Sequence, residues 1–253
     1  MLRRLVRAAV PEPVRRRIFL ARRWFVRLPF IGELRFTGLR RVRPLSRDFG
    51  SDRGGLPVDR HYIEKFLEGT SHDIRGRVLE IGDSRYTRAF GGPRVSVSDV
   101  AHAEEGNPEA NLVADLTTGR GLAPETYDCA ILTQTLHCIF EIHQAVRSLH
   151  RILKPGGVAL VTLPGISQIS RYDLEHWGDF WRFTSAAAQR IFAEVFEPDR
   201  VTVHAYGNVL AAVAFLFGLT CDELRPRELD ARDQDYELII GVRAQKAGDA
   251  QPG

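Results

Sequence analysis

Polar residues that can bind a nucleotide-like ligand stand at the ends of four short apolar runs in this chain. They are Glu80 and Gly82 after the first run, Asp99 after the second, Asp115 after the third, and Thr133 with Gln134 after the fourth. In a doubly wound nucleotide site, an acid that ends the second strand accepts hydrogen bonds from the ribose hydroxyls. The position of Asp99 therefore predicts a cofactor bound at the ends of these runs.

The runs themselves indicate buried strands of a parallel sheet. Val78, Leu79 and Ile81 supply the aliphatic bulk of a strand covered on both faces, and Gly82 lets the chain turn where a side chain would block a ligand. Ligands of doubly wound sheets bind outside the carboxyl ends of the strands. The sequence thus predicts an α/β domain with its site at that edge.

Two segments resemble one enzyme family. Residues 78–82 read VLEIG, and residues 149–161 read LHRILKPGGVALV, which is similar to the helix, turn and fifth strand of that family. The family is the class I S-adenosylmethionine-dependent methyltransferases, in particular the small-molecule group called type 11. The resemblance covers residues 59–243. It implies a Rossmann-like, doubly wound sheet of seven mostly parallel strands in the order 3-2-1-4-5-7-6, with S-adenosyl-L-methionine as cofactor.

The same resemblance assigns cofactor contacts by position. They are Glu80 and Gly82 at the first strand, Asp99 at the ribose, Asp115 with Leu116 beside it at the adenine, and Thr133 with Gln134 beside the transferred methyl group.

One departure from the family concerns the glycine-rich turn. The family continues GxGxG after its acid, whereas here Gly82 is followed by Asp83, Ser84 and Arg85. Our hypothesis is that Arg85 or the Ser84 hydroxyl contacts the cofactor carboxylate, with Asp83 or Glu80 near its ammonium group. The alternative is a retained fold that has lost its cofactor and serves as a binding or scaffold protein of a membrane-associated assembly.

Candidates for proton transfer lie after the fourth and fifth strands. Methyl transfer is an in-line displacement, so the protein must align the acceptor and remove a proton if the acceptor is a hydroxyl. His137 is the first candidate for general base and His176 the second, with Asp173 able to orient either. In the alternative, His137 hydrogen-bonds cofactor or backbone and His176 belongs to a lid.

Residues 165–184 are dense in aromatic and titratable side chains, which suits a substrate wall. Tyr172, Trp177, Trp181 and Arg182 are the candidate substrate contacts, and Arg182 could clamp a sugar or phosphate. The W-R-F-T run resembles type 11 enzymes associated with bacterial glycan assembly. In the alternative, Trp181 leads into a helix capped by Thr184 and Arg182 is solvated.

The three cysteines, Cys129, Cys138 and Cys221, lack the spacing of a disulfide framework or a zinc site. We therefore expect that the protein binds no metal and is located in the reducing cytoplasm. The longest nearly apolar run, residues 209–219, is shorter than the ~20 residues of a membrane span and predicts a packed helix.

The positive charge is concentrated near the start of the chain. Residues 1–47 carry a net charge of +12, whereas the remaining residues carry −9. Apolar residues from Val14 to Leu28 recur at helical spacing, with arginines on the opposite side. This arm suits peripheral contact with an anionic membrane surface, although packing against its own domain is an equal alternative. No base-reading module is present, so we expect no specific nucleic acid partner.

The sequence predicts four segments: a basic helical arm (1–47), a linker or lid (48–58), a methyltransferase domain (59–243) and a flexible tail (244–253). The leading function is O-methylation of a small-molecule or glycan hydroxyl. An NAD-dependent oxidoreductase is the rival enzyme, but its GxGxxG motif is absent.

Overall fold

A computed structural model describes residues 40–248, and within them one sheet carries the fold. Its strand order is β3-β2-β1-β4-β5-β7-β6, which confirms the predicted topology. The strands are β1 (Gly76–Ile81), β2 (Val95–His102), β3 (Leu112–Val113), β4 (Tyr127–Thr133), β5 (Leu153–Pro164), β6 (Val201–Tyr206) and β7 (Ile239–Gln245). The pairs from β3 to β5 are parallel, and β7 is antiparallel to both β5 and β6.

Alternating side chains of the central strands feed two separate cores. Leu79 and Ala130 point into one cluster, whereas their neighbours Val78 and Ile131 point into the other, and all four are fully buried. Because successive strand residues face opposite sides, a sheet covered by helices on both faces needs continuous apolar runs. This is the physical reason for the runs read in the sequence.

Helices cover both faces of the sheet. Two of them, α2 and α4, bury apolar residues in the first cluster, and α1 and α5 do so in the second. The helices are α1 (Val58–Gly69), α2 (Ile142–Ile152), α3 (Arg171–His176), α4 (Ser185–Ala193), α5 (Val209–Phe217) and α6 (Pro226–Asp230). Helix α5 confirms that the long apolar run is a packed helix. Among residues 40–248, no helix has both the length and the apolar character needed to cross a membrane.

Three local predictions from the sequence were wrong: that β2 stops at Asp99, that Lys154 lies in the last turn of the helix before Pro155, and that Asp59 is the N-cap of the first helix. Strand β2 does not stop at Asp99 but continues to His102. Lys154 is not in the last turn of α2; it lies in β5, where its Nζ is 2.7 Å from an Asp128 oxygen. Asp59 is not the N-cap of α1, because the helix begins after Pro57 and Asp59 is already in its first turn. The Thr184 cap of α4 is confirmed, since its side chain accepts from the Ala187 N–H at 3.2 Å.

Residues 45–57, part of the predicted arm and linker, pack onto the domain. The Leu45 N–H donates to the Phe217 carbonyl at 2.8 Å, and the Phe49 ring stacks on Phe215 at 5.6 Å between centroids. The compact unit that contains the sheet begins at Leu45. The predicted helix of residues 14–28 lies outside the described residues.

Candidate functional site

A cleft of about 700 Å³ opens at the carboxyl ends of β1 to β4. This volume is within the roughly 300–1,000 Å³ of small-molecule sites. Its lining includes Gly82 after β1, His102 at the end of β2, Asp115 and Leu116 after β3, and Gln134 after β4. The cleft therefore lies where a doubly wound fold binds its ligand.

The turn after β1 leaves room for a ligand. Gly82 has φ of 89°, and a Cβ built there would meet no atom within 4 Å. The Glu80 carboxylate, 2% exposed, points the other way and accepts the backbone N–H groups of Tyr86 at 3.0 Å and Thr87 at 2.7 Å. Burial raises the pKa of Glu80 although these N–H groups oppose the shift. Glu80 thus anchors the turn.

The residues that replace the family's glycines do not line the cleft. The Asp83 carboxylate accepts the Arg85 backbone N–H at 2.8 Å, and the Ser84 hydroxyl accepts from Arg88. The structure therefore gives no support to Asp83, Ser84 or Arg85 as cofactor contacts.

Asp99 is also outside the cleft, because it lies midway along β2, opposite Leu79 of β1, and not at the carboxyl end of the strand. Its buried carboxylate accepts from Arg77 Nε at 2.7 Å and from Asn111 Nδ2 at 2.9 Å. An acid so paired has a structural role within the sheet. The groups that reach the cleft from the end of β2 are His102 and Glu104.

Asp115 lies at the cleft as predicted. Its carboxylate accepts the Thr117 backbone N–H at 2.8 Å and the Thr118 hydroxyl at 2.7 Å. The Thr118 hydrogen bond holds the pKa of Asp115 below its ordinary value, against a smaller effect of burial. Asp115 is therefore a fixed carboxylate beside Leu116.

Gln134 separates the cleft from a second, smaller pocket, and it lines both. It has φ of 49°, a conformation that costs free energy in residues other than glycine and that is concentrated at functional sites. Its backbone N–H donates to the Thr162 carbonyl of β5 at 3.0 Å, so β5 holds the strained turn in place.

The smaller pocket, of about 80 Å³, brings His137 and Asp173 together. His137 is 5% exposed, and its Nε2 lies 3.7 Å from an Asp173 oxygen and 4.0 Å from an Asp179 oxygen. Its Nδ1 is buried and has no hydrogen-bond partner among the described residues. Burial opposes the shift, yet the nearby His137 and Ser170 side chains hold the pKa of Asp173 below its ordinary value. This arrangement can orient an imidazole as a base.

The comparisons with known proteins concern the central part of this fold. Residues 82–161, less than a third of the chain, match the family model Methyltransf_11, described as a methyltransferase domain. The match begins at the Gly82 turn and ends within β5, so it includes Asp115, Gln134 and His137. No curated protein matches the chain. This central segment is therefore similar to a methyltransferase domain.

Solved structures similar to this chain are distant in sequence. An S-adenosylmethionine dependent methyltransferase from Mesorhizobium loti has 15% identity and a TM-score of 0.49, covering 75% of this chain and 98% of that one. Phosphoethanolamine N-methyltransferase 2 from Haemonchus contortus, in complex with S-adenosyl-L-methionine, has 11% identity and a TM-score of 0.47, covering 75% and 57%.

The CurJ carbon methyltransferase has 16% identity and a TM-score of 0.44, covering 69% of this chain. The chain spans about half the length of that protein, 49%. At these identities and scores, none of the three bears on the acceptor.

The residues of the cleft fit the cofactor of a methyltransferase. The space above Gly82 is open, so a ligand can come close to the backbone there without a clash. The cleft is large enough for a nucleoside with an amino acid side arm. Asp115 supplies a fixed acceptor at the far end, and Gln134 closes the end beside the smaller pocket.

His176 and Trp177 line the cleft and not the smaller pocket. The His176 ring stacks on Tyr172 at 4.2 Å, and its Nδ1 lies 2.7 Å from the Tyr172 carbonyl oxygen. Trp177 meets the His102 ring edge-on at 5.7 Å. These aromatic rings form a wall over the cleft, and Tyr172 itself supports that wall without lining it.

Trp181 and Arg182 both have hydrogen-bond partners within the protein. The Trp181 indole N–H donates to the Ile139 carbonyl at 3.1 Å, and the ring stacks on Phe140 at 5.6 Å. The Arg182 guanidinium binds both oxygens of Asp179 and the Gln168 carbonyl. Arg182 lines the smaller pocket, but its pairing leaves it a poor clamp for a phosphate.

His137, Cys138 and Asp173 each place one donor atom within 4.8 Å of the others, a separation that one metal ion could bridge. Burial raises the pKa of the Cys138 thiol to about 12, which disfavours the thiolate that metals bind.

Sequence reasoning missed Asp59 and Arg60, which line the smaller pocket from the first turn of α1. Asp59 looked like a helix cap because an aspartate preceded a helical pattern. The available signal was Pro57, which places the cap earlier and leaves two charged residues in the first turn of an otherwise buried helix.

Proposed function

We propose that this protein is an S-adenosylmethionine-dependent methyltransferase and that it transfers the methyl group to a hydroxyl of a small-molecule or glycan acceptor. The single observation that carries the proposal is the His137–Asp173 pair, set in a pocket that shares Gln134 and Asp173 with the cofactor cleft. A hydroxyl must lose its proton when it is methylated, and a histidine beside a carboxylate is suited to accept it.

The cofactor supplies an electrophilic methyl group on a sulfonium when it is bound. The protein's part is to orient the acceptor and to remove the proton. In the proposal Asp173 holds the Nε2 proton of His137 and thereby leaves Nδ1, which has no partner among the described residues, as the basic atom. The 3.7 Å separation would shorten as the acceptor enters, as apo catalytic contacts often do.

Five residues that line the cleft are assigned to the cofactor. The backbone at Gly82 lies against it, Asp115 and Leu116 contact the adenine, and Thr133 with Gln134 lie near the transferred methyl group. Glu104 takes the ribose role that the sequence suggested for Asp99, because Glu104 reaches the cleft and Asp99 does not. His176 and Trp177 cover the bound cofactor from α3.

Calorimetry with S-adenosylhomocysteine tests the cofactor site directly. A ligand at about 100 times its Kd would stabilise the fold by about 2.7 kcal/mol, so a thermal shift provides a second readout. No heat and no shift with well-folded protein would favour the scaffold alternative. A response to NAD in place of S-adenosylhomocysteine would favour the oxidoreductase.

We also propose that residues 1–47 hold the enzyme at an anionic surface, at the cytoplasmic face of a membrane where lipid-linked glycans are assembled. The support is the charge of +12 on this segment against −9 on the rest. Full-length protein should sediment with anionic vesicles at low salt, and less so as salt screens the charge.

Four arginine-to-glutamine changes in the arm should abolish that sedimentation, whereas four at exposed arginines of the domain should not. The arm set is Arg15, Arg16, Arg22 and Arg23, and the domain set is Arg75, Arg147, Arg190 and Arg227. Equal losses from both sets would show that the arm has no special role.

A further inference from the structure

The smaller pocket contains a buried carboxylate that nothing in the cofactor site requires. Asp59 is 9% exposed, and its Oδ1 is buried without a hydrogen-bond partner among the described residues. Its other oxygen is 3.9 Å from Arg60 Nε, too far for a hydrogen bond. Burying a charged group without a donor is costly, so this oxygen is suited to a donor that arrives with a ligand.

Arg60 provides the complementary donors. One guanidinium nitrogen donates to the Tyr86 hydroxyl at 3.1 Å, the only hydrogen-bond partner of this side chain among the described residues. A guanidinium has five N–H donors, so most of them remain for a ligand. Tyr86 belongs to the turn anchored by Glu80, so this hydrogen bond ties Arg60 to the segment that follows β1.

Two of the three carboxylates around the pocket are balanced by an arginine, and the third faces His137, which the proposed mechanism uses as a neutral base. Asp59 is next to Arg60, Asp173 faces His137, and Asp179 binds Arg182. A phosphate would meet two carboxylates without a surplus cation, and an ammonium group would meet Arg60. A hydroxyl can donate to Asp59 and accept from Arg60, so the pocket matches a group that is uncharged and both donates and accepts.

Size and lining narrow the choice further. A space of about 80 Å³ holds roughly six water-sized groups, since one water needs about 10–15 Å³. The lining of the pocket also includes the apolar side chains of Phe49, Phe215 and Ile239. One hydroxylated edge of a sugar ring, with its apolar C–H face, has this combination of surfaces.

We infer that Asp59 and Arg60 form the acceptor subsite and that they bind two neighbouring hydroxyls of an uncharged polyol, a sugar ring above all, so that a third reaches His137. The inference rests on the proposed methyl transfer and names its substrate class. It also explains why Asp59 remains unpaired in the described structure: its partner is the acceptor.

The experiment uses the full-length protein saturated with S-adenosylhomocysteine. Saturation-transfer NMR measures binding of methyl α-D-glucopyranoside, methyl α-D-mannopyranoside and methyl α-L-rhamnopyranoside, with glucose 6-phosphate and ethanolamine as charged probes. S-adenosylhomocysteine release from S-adenosylmethionine measures turnover of the same compounds. We expect the neutral glycosides to give the stronger response in both measurements.

The deciding variant is Asp59→Asn, with Asp199→Asn at an exposed site as its matched control. Asp59→Asn should lower kcat/KM for the best glycoside by about tenfold or more, mainly through KM, because one hydrogen bond to the acceptor is weakened. Its Kd for S-adenosylhomocysteine should stay within about twofold of the wild type, and its Tm should be unchanged or higher, because a buried charge has been removed. The control should change none of these.

A lower Tm together with weaker S-adenosylhomocysteine binding would show that Asp59 is structural, and unchanged kinetics would show that it does not contact the acceptor. A preference for glucose 6-phosphate or ethanolamine, or S-adenosylhomocysteine binding without a response to any neutral glycoside, would overturn the polyol assignment while leaving methyl transfer intact. Failure of the wild type to bind S-adenosylhomocysteine would instead overturn the proposed function, and this inference with it.

Discussion

The cofactor cleft and the smaller pocket share Gln134, yet their carboxylates are satisfied in different ways. Around the cleft, Glu80 accepts two backbone N–H groups, and Asp115 accepts one N–H and one hydroxyl. In the pocket, Asp59 has a buried oxygen without a partner. The carboxylates of Glu80 and Asp115 are therefore paired within the protein, whereas Asp59 of the pocket has one oxygen left to accept a hydrogen bond, as the proposed acceptor subsite requires.

This difference separates residues that build the site from residues that act in it. An acid whose oxygens are already occupied by the backbone can fix a turn but has little left for a ligand. An acid or imidazole left unpaired in a buried place costs stability, and such costs are tolerated mainly at functional sites. Substitution of a residue that builds the site should therefore change stability, whereas substitution of a residue that acts in it should change the reaction rate.

The largest effect is expected at His137. His137→Asn should lower kcat by about 10²–10⁴-fold, the usual contribution of a general base. The Kd for S-adenosylhomocysteine should stay within about twofold, because His137 lines the pocket and not the cleft. His176→Asn is the matched control, since this second candidate lies on the cleft and should lower the rate much less. The reverse ranking of the two variants would transfer the role of base to His176.

Glu80 should matter most for stability. Glu80→Ala leaves the Tyr86 and Thr87 N–H groups without an acceptor in a buried place and should lower the free energy of unfolding by about 2–4 kcal/mol. Urea titration measures this change, with exposed Glu68→Ala as the control. A loss of cofactor binding with full stability would mean that Glu80 acts on the ligand directly.

Asp99 distinguishes the structural role from the cofactor role suggested by the sequence. Asp99→Asn weakens the contact with Arg77 Nε and should lower the free energy of unfolding by about 1–2 kcal/mol. Its affinity for S-adenosylhomocysteine should change less than about threefold, whereas Glu104→Gln should weaken it more. A large loss of affinity in Asp99→Asn alone would restore the ribose assignment.

The sequence predicted the sheet well and the pocket poorly, for physical reasons that particular residues show. Continuous apolar runs such as Val78-Leu79 are needed wherever helices cover both faces, so they mark the strands directly. The end of β2 was misplaced because a buried acid within a strand is unexpected, and its partners Arg77 on β1 and Asn111, which make it acceptable, are not apparent from the sequence. Asp59 and His137 are far apart in sequence, and no local pattern shows that folding places them in one pocket.

The smallest effects should appear in the pH dependence of stability, where Asp115 and Asp59 have opposite signs. The Thr118 hydrogen bond is the main cause that holds the pKa of Asp115 below its ordinary value. Its contribution is therefore present above about pH 4 and is lost as the pH falls through the lower pKa of the folded state. Burial raises the pKa of Asp59 above 3.8, with Arg60 opposing, so Asp59 costs stability increasingly as the pH rises from about 4 through its folded value.

Thermal unfolding from acid to neutral pH measures both signs. At neutral pH, Asp115→Asn should unfold at a lower temperature than the wild type and Asp59→Asn at the same or a higher temperature, and both differences should shrink in acid. Asp199→Asn, at an exposed position, should follow the wild type throughout. If both variants lowered the Tm at neutral pH, Asp59 would have a hydrogen-bond partner in the folded protein. The carboxylates of the cleft and of the pocket would then not differ in how they are paired.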